Sequence, residues 1–163
     1  MNSYAKSIEY VINQEPENKI IKASAIYEKS FSTIPETSYY KTLERMSKNG
    51  LLVHLTKGLY YRPKKSRFGI VPISEDDIIN HYTNDGLGVV VGYRLYNKKG
   101  LTTQIGKRVE VLSTSLLEQK KNINHVCVTH CSVKLTNQTI PVIETLEILQ
   151  NYRNLEDINK DAL

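Results

Sequence analysis

The spacing of apolar positions changes along this chain, and the changes mark out its elements. From Ser3 to Asn13, Tyr4, Ile8, Val11 and Ile12 recur at helical spacing and predict a first helix. Glu15-Pro16-Glu17-Asn18 reads as a loop and Ile20-Ile21 as a short strand. A second helix is expected over Lys22–Lys29, with Ala23, Ile26 and Tyr27 facing inward, and Ser30 to Pro35 as the turn after it. Pro35 suits the first turn of a third helix running to about Asn49. Gly50 suits the position just past its end, where positive φ costs glycine nothing. On a helical wheel Tyr39, Leu43 and Met46 fall within about 60° of one another and make the buried stripe. Ser38, Lys41, Thr42, Arg45 and Lys48 fall opposite them. Leu51–Leu55 and Leu59–Arg62 then read as strands joined through Thr56-Lys57-Gly58, with Gly58 at the left-handed position of a three-residue loop.

From Lys64 the pattern shifts. Lys64-Lys65-Ser66-Arg67 reads as a linker, and Phe68-Gly69-Ile70-Val71-Pro72 as a return to the core. Ser74-Glu75-Asp76-Asp77 resembles a capping box opening a helix through about Asn84, closed by Asp85-Gly86. Val89–Val91 fits a strand or the entry to a helix, and Tyr93–Lys98 a short helix stopped by Gly100. Gln104–Ser113 and Asn124–Leu135 alternate as strands do, and Pro141–Tyr152 is helical, with Val142, Leu146 and Leu149 on one face. No internal repeat and no low-complexity segment interrupts this order.

The 163 residues suit one domain or two small ones, and the formal charge is +5. Residues 1–67 hold 12 basic and 6 acidic side chains, a net of +6, whereas residues 68–163 hold 10 basic and 11 acidic, a net of −1. The excess concentrates further between residues 36 and 67, where eight Lys/Arg stand against Glu36 and Glu44. A basic segment of this kind points to a polyanion. Met1 to Val11 lacks a basic stretch followed by an apolar run, and no stretch approaches 18 apolar residues, so neither a secretory leader nor a membrane span is expected. Two cysteines, Cys127 and Cys131, are too few for a disulfide scaffold. A cytoplasmic location, with no membrane partner, is the expectation.

Three short helices, a glycine stop, a hairpin and a basic tail follow one another in the order of a winged helix-turn-helix. A helix fits the major groove of duplex DNA, and its outward face must offer donors to bases and phosphates. Ser38, Lys41, Thr42 and Arg45 form that face, with Arg45 suited to a bidentate contact with guanine and Lys41 and Lys48 to phosphates. Lys57 at the hairpin tip and Arg62, Lys64 and Lys65 in the tail would flank the duplex. The competing reading is a solvated cationic face, or a protein-interaction module that docks a protein rather than DNA. Tyr39, Tyr40, Tyr60 and Tyr61 could stack on single strands, but Tyr39 belongs to the packed face, and Tyr60 and Tyr61 point to opposite sides of a strand. His125, Cys127, His130 and Cys131 are the one set of zinc-ligand types, yet their spacing is not that of a finger or ribbon, and buried strand cysteines account for it more simply. No P-loop, nucleophile elbow or HExxH is present, and Glu75-Asp76-Asp77 sits where acids favour a helix start. No enzymatic activity, cofactor or metal is therefore expected.

KTLERMSKNGLL (41–52), KGLYYRP (57–63), FGIVP (68–72) and GLTTQ (100–104), in that order, resemble the AbiEi-like antitoxin and transcriptional regulator family of type IV toxin–antitoxin systems. The likeness covers roughly residues 3–114, with a weaker match in the Pro141–Tyr152 helix. It implies an N-terminal winged helix-turn-helix that binds the promoter of its own operon. It also implies functional antagonism of a nucleotidyltransferase-like toxin without a stable complex. DNA contacts from Lys41, Arg45, Lys48, Lys57 and Arg62 follow from the matching helix and hairpin. The expected fold is α+β: a winged helix-turn-helix over residues 1–67, then a small mixed domain over 68–163 serving toxin neutralisation or self-association, with a homodimer suiting an inverted-repeat operator.

Overall fold

The computed structural model describes residues 3–155, 157–159 and 161. It is of mixed α+β class and contains two compact units, residues 1–77 and 78–163. The division falls ten residues after the one expected, because residue 67 lies inside a hairpin. Counted over these units, the 12 basic and 9 acidic residues of the first leave +3, and the 10 basic and 8 acidic of the second leave +2. The charge asymmetry is therefore a property of particular surfaces rather than of whole units.

In the first unit, α1 (Ser3–Gln14) buries Ala5, Ile8 and Ile12. Tyr4 lies at the opposite edge of the predicted stripe and is largely exposed, because the buried arc is centred between Ile8 and Ile12. β1 (Ile20–Lys22) leads into α2, which is shorter than expected: one turn over Ala23–Ile26 widens into a π-type turn over Tyr27–Phe31 that buries Phe31. Pro35 does not sit within α3 (Glu36–Lys48). It precedes the helix with extended backbone, and its carbonyl accepts the Ser38 and Tyr39 amides at 2.8 and 3.2 Å. Past the C-terminus, Gly50 adopts φ +70°. This lets the Gly50 amide reach the Ser47 carbonyl (3.0 Å) and the Leu51 amide reach that of Met46 (2.9 Å). Tyr39, Leu43 and Met46 are buried as the wheel requires, together with Ile8, Ile12, Ile21, Phe31, Ile34 and Leu52. The Tyr39 hydroxyl donates to the Ala23 carbonyl at 3.0 Å, fixing α3 to α2, and burial raises its phenol far above the ordinary tyrosine value.

The chain then turns back through β2 (Val53–Thr56) and β3 (Leu59–Tyr61), and β3 pairs on its other edge with β1, giving an antiparallel sheet of order β1-β3-β2. Lys57 and Gly58 make the turn, with Gly58 at φ +75°. The expected linker is instead a second antiparallel hairpin, β4 (Lys64–Ser66) with β5 (Gly69–Val71). Phe68 does not re-enter the core; it stands at the hairpin tip, 86% exposed.

The second unit holds a four-stranded sheet of order β6-β7-β9-β8, from β6 (Gly88–Val91), β7 (Val109–Ser113), β8 (Lys120–Ile123) and β9 (Val126–His130). β7 and β9 run parallel at its centre, while both outer pairs are antiparallel. The alternation read from Gln104 onward is strand only from Val109, and β9 stops at His130; β8, with two lysines and an asparagine, carries too little apolar signal to have been foreseen. The chain enters this unit through α4 (Glu75–Thr83), which opens on the expected cap, the Asp77 amide donating to Ser74 Oγ at 3.0 Å. α5 (Tyr93–Lys98) follows β6 and ends at Gly100, φ +72°. The last helix, α6 (Thr139–Asn151), packs Ile140, Ile143 and Ile148 on a cluster that includes Val89, Leu95 and Tyr96.

Candidate nucleic-acid interface

Lys41, Arg45 and Lys48 project from α3 on the side away from its packed stripe, and all three are exposed. Ser38 is exposed at the edge of that face. Thr42 is not available there. It is 6% exposed, and its hydroxyl donates to the Ser38 carbonyl at 2.9 Å. It follows Ser38 by one turn and lies next to Met46 on the wheel, so the buried arc is wider on that side than three apolar residues indicated. Glu44 and Lys48 pair at 2.8 Å. The bond from Lys48 holds the Glu44 carboxyl below the usual range, so part of the charge of Lys48 is already answered.

Beside this face runs a groove of about 860 Å³. On one side it is walled by Thr37, Tyr40, Lys41, Glu44, Ser47 and Lys48 of α3, and on the other by Leu52, Val53, His54, Tyr60 and Ile70. Tyr40 and Tyr60 are half-buried, and burial raises both phenols. The Ser47 hydroxyl is buried with no hydrogen-bond partner. Because Ile70 belongs to β5, the second hairpin borders the same side of α3 as its cations.

The remaining sequence-chosen cations divide. Lys57 is exposed in the β2–β3 turn, and Lys64 and Lys65 are exposed on β4. Arg62 is half-buried and its guanidinium donates to the Glu15 carbonyl, while its own carbonyl accepts the Asn18 amide at 2.8 Å. Arg62 thus braces the α1–β1 loop against the end of β3 rather than standing clear in the tail. Sequence reasoning overlooked Phe68, with the Arg67 guanidinium 4.6 Å from the centre of its ring. The signal was present in an aromatic residue followed by Gly69, but the usual Asn-Gly or Asp-Gly turn marker is missing.

The other constellations divide as well. Tyr39 and Tyr61 are buried, so a run of stacking aromatics is not displayed. Cys127 is buried in β9, Cys131 lies beyond the strand, and His130 Nδ1 meets the Leu116 carbonyl at 2.6 Å. Among the described residues no group of three or more His, Cys, Asp or Glu is arranged to hold a metal ion. Asp77 accepts from Lys19 at 2.7 Å and from the Ser74 hydroxyl at 2.6 Å, and these bonds lower its pKa. No helix is long and apolar enough to cross a membrane among the described residues.

Residues 12–139 match the model of a family described as a family of unknown function, DUF6088. The chain belongs to DUF6088. In this DUF6088 protein the matched segment takes in α3, both hairpins and the four-stranded sheet, and ends where α6 begins. No curated protein matches the chain.

Proposed function

We propose that the N-terminal unit is a winged helix-turn-helix that binds duplex DNA in a sequence-dependent way, with α3 in the major groove. The observation that carries this reading is the outward face of α3, where Lys41, Arg45 and Lys48 stand exposed beside two hairpins that carry Lys57, Lys64 and Lys65. The order α1-β1-α2-α3-β2-β3, with β3 central in the sheet, supports it. Arg45 reads a guanine edge, Ser38 adds a polar contact, and the lysines hold phosphates. The likeness to AbiEi-like antitoxins extends the proposal: the protein represses its own operon and opposes a nucleotidyltransferase-like toxin without forming a stable complex with it. The test is binding of the full chain to duplex from its own upstream region, alongside growth rescue on co-expression with the product of the adjacent gene. Absence of binding at low salt would remove the DNA reading, and absence of rescue the antitoxin reading.

A second reading is favoured by the apolar wall of the groove, where Tyr40, Leu52, Val53, Tyr60 and Ile70 converge. Here the same surface docks a protein segment and never meets DNA. No duplex affinity at any salt concentration would favour it.

A further inference from the structure

The β4–β5 hairpin is at odds with an ordinary connecting element. Residues 64–71 hold three cations, Lys64, Lys65 and Arg67, and no acid. Both strands lack a buried residue. At the tip Phe68 gives 86% of its surface to water, and a phenyl ring gains nothing there from folding. The tip is nevertheless held firmly. The Ser66 hydroxyl donates to the Gly69 carbonyl at 3.1 Å and accepts the Phe68 amide at 3.2 Å. Gly69 takes φ +115°, which a side chain would resist. The Arg67 guanidinium stands 4.6 Å from the centre of the ring.

From this we infer that the hairpin is a second DNA-contacting arm, placing Arg67 and Phe68 at the minor groove next to the major groove held by α3. The inference rests on the DNA reading above and names the part of the duplex that this element meets. Ile70 lines the same groove as Lys41 and Lys48, so arm and helix border one surface. Arginine is drawn into a narrow minor groove by its enhanced negative potential. An aromatic wedge beside it partly unstacks a base step and bends the duplex, bringing more backbone against the protein. The cations of β4 complement the flanking phosphates. An anionic bilayer offers the same charge, but stable attachment there calls for a broader apolar face than Phe68 and the half-exposed Ile70 present.

The test uses the full chain and a labelled duplex from its own upstream region. Affinity is read by anisotropy, bending by energy transfer between the duplex ends, and minor-groove occupancy by competition with netropsin. Wild-type protein bends the duplex and is displaced by netropsin. Phe68→Ala lowers affinity about tenfold, abolishes the bend and leaves the salt slope unchanged. Arg67→Ala lowers affinity and weakens the competition with netropsin. Because the tip is exposed, both variants melt with the wild type. If both bind, bend and compete as wild type does while Arg45→Ala loses sequence preference, the arm is idle: the inference falls and the DNA reading stands. If wild-type protein binds no duplex at low salt, both fall. Vesicles of phosphatidylcholine and phosphatidylglycerol that retain wild type but not Phe68→Ala, with DNA affinity equal in the two, would overturn the inference in favour of a membrane surface.

Discussion

α3 and α6 are both 13 residues long, and they use their faces in opposite ways. α3 turns Tyr39, Leu43 and Met46 fully inward and keeps lysine, arginine and glutamate outside. α6 has no fully buried residue. It directs Ile140, Ile143 and Ile148 toward the sheet together with the carboxylates of Glu144 and Glu147, and leaves Val142, Leu146 and Leu149 more than half exposed. Glu144 pairs with Lys99 at 2.8 Å, and Glu147 accepts from the Tyr96 hydroxyl at 3.0 Å. A helix with one apolar face declares its orientation; a helix apolar on several faces is oriented by its polar anchors.

Truncation separates the two most sharply. Leu43→Ala should cost about 2–5 kcal/mol, because a fully buried side chain leaves a cavity. Leu146→Ala should stay within about 0.5 kcal/mol. Denaturant unfolding measures both, and equal losses would mean that α6 buries its outer face in solution. The next effect concerns the anchors: Tyr96→Phe removes a hydrogen bond to a carboxylate and should cost about 1.5–3 kcal/mol. On the α3 side, Arg45→Ala should cost about 1–3 kcal/mol on the preferred sequence and little on random duplex. Lys57→Ala should weaken both alike. Matching losses in the two variants would erase the distinction between reading and positioning.

Alkaline titration probes both units together. Burial raises the phenols of Tyr39 and Tyr96, and pushes that of Tyr82 up to about 12. A raised folded pKa means that stability is intact below the unfolded tyrosine value, about 10. It is then lost as pH rises through the folded values. Loss of structure should therefore begin near pH 10 and continue through about 12. Ultraviolet titration showing all eleven tyrosines ionising together near pH 10, with the fold intact, would contradict this.

The sequence was readable where a single chemistry occupied a single face. The α3 stripe, the Gly50 and Gly100 stops and the Ser74 cap all emerged from local rules, since each depends on residues within a few positions. Long-range pairing left weaker marks. β4 and β5 are too short and too exposed to alternate, and β8 is held by β9 rather than by its own composition. Thr42 and Arg62 show the same limit at the candidate interface. Their residue types suit DNA contacts, but the Ser38 carbonyl takes the Thr42 hydroxyl, and the Glu15 carbonyl holds one nitrogen of the half-buried Arg62 guanidinium. The apolar run Phe68–Val71 points to the core, and the Ser66–Gly69 turn instead places Phe68 outside.

The central claim is that the α3 face and its hairpins meet the backbone of duplex DNA. It is tested most directly by the affinity of the full chain for duplex from its own upstream region across a series of salt concentrations. Lys41, Lys48, Lys57, Lys64 and Lys65, each holding one phosphate, predict a log–log slope of about −4 to −5. A slope indistinguishable from zero, or no binding at the lowest salt, would contradict the account.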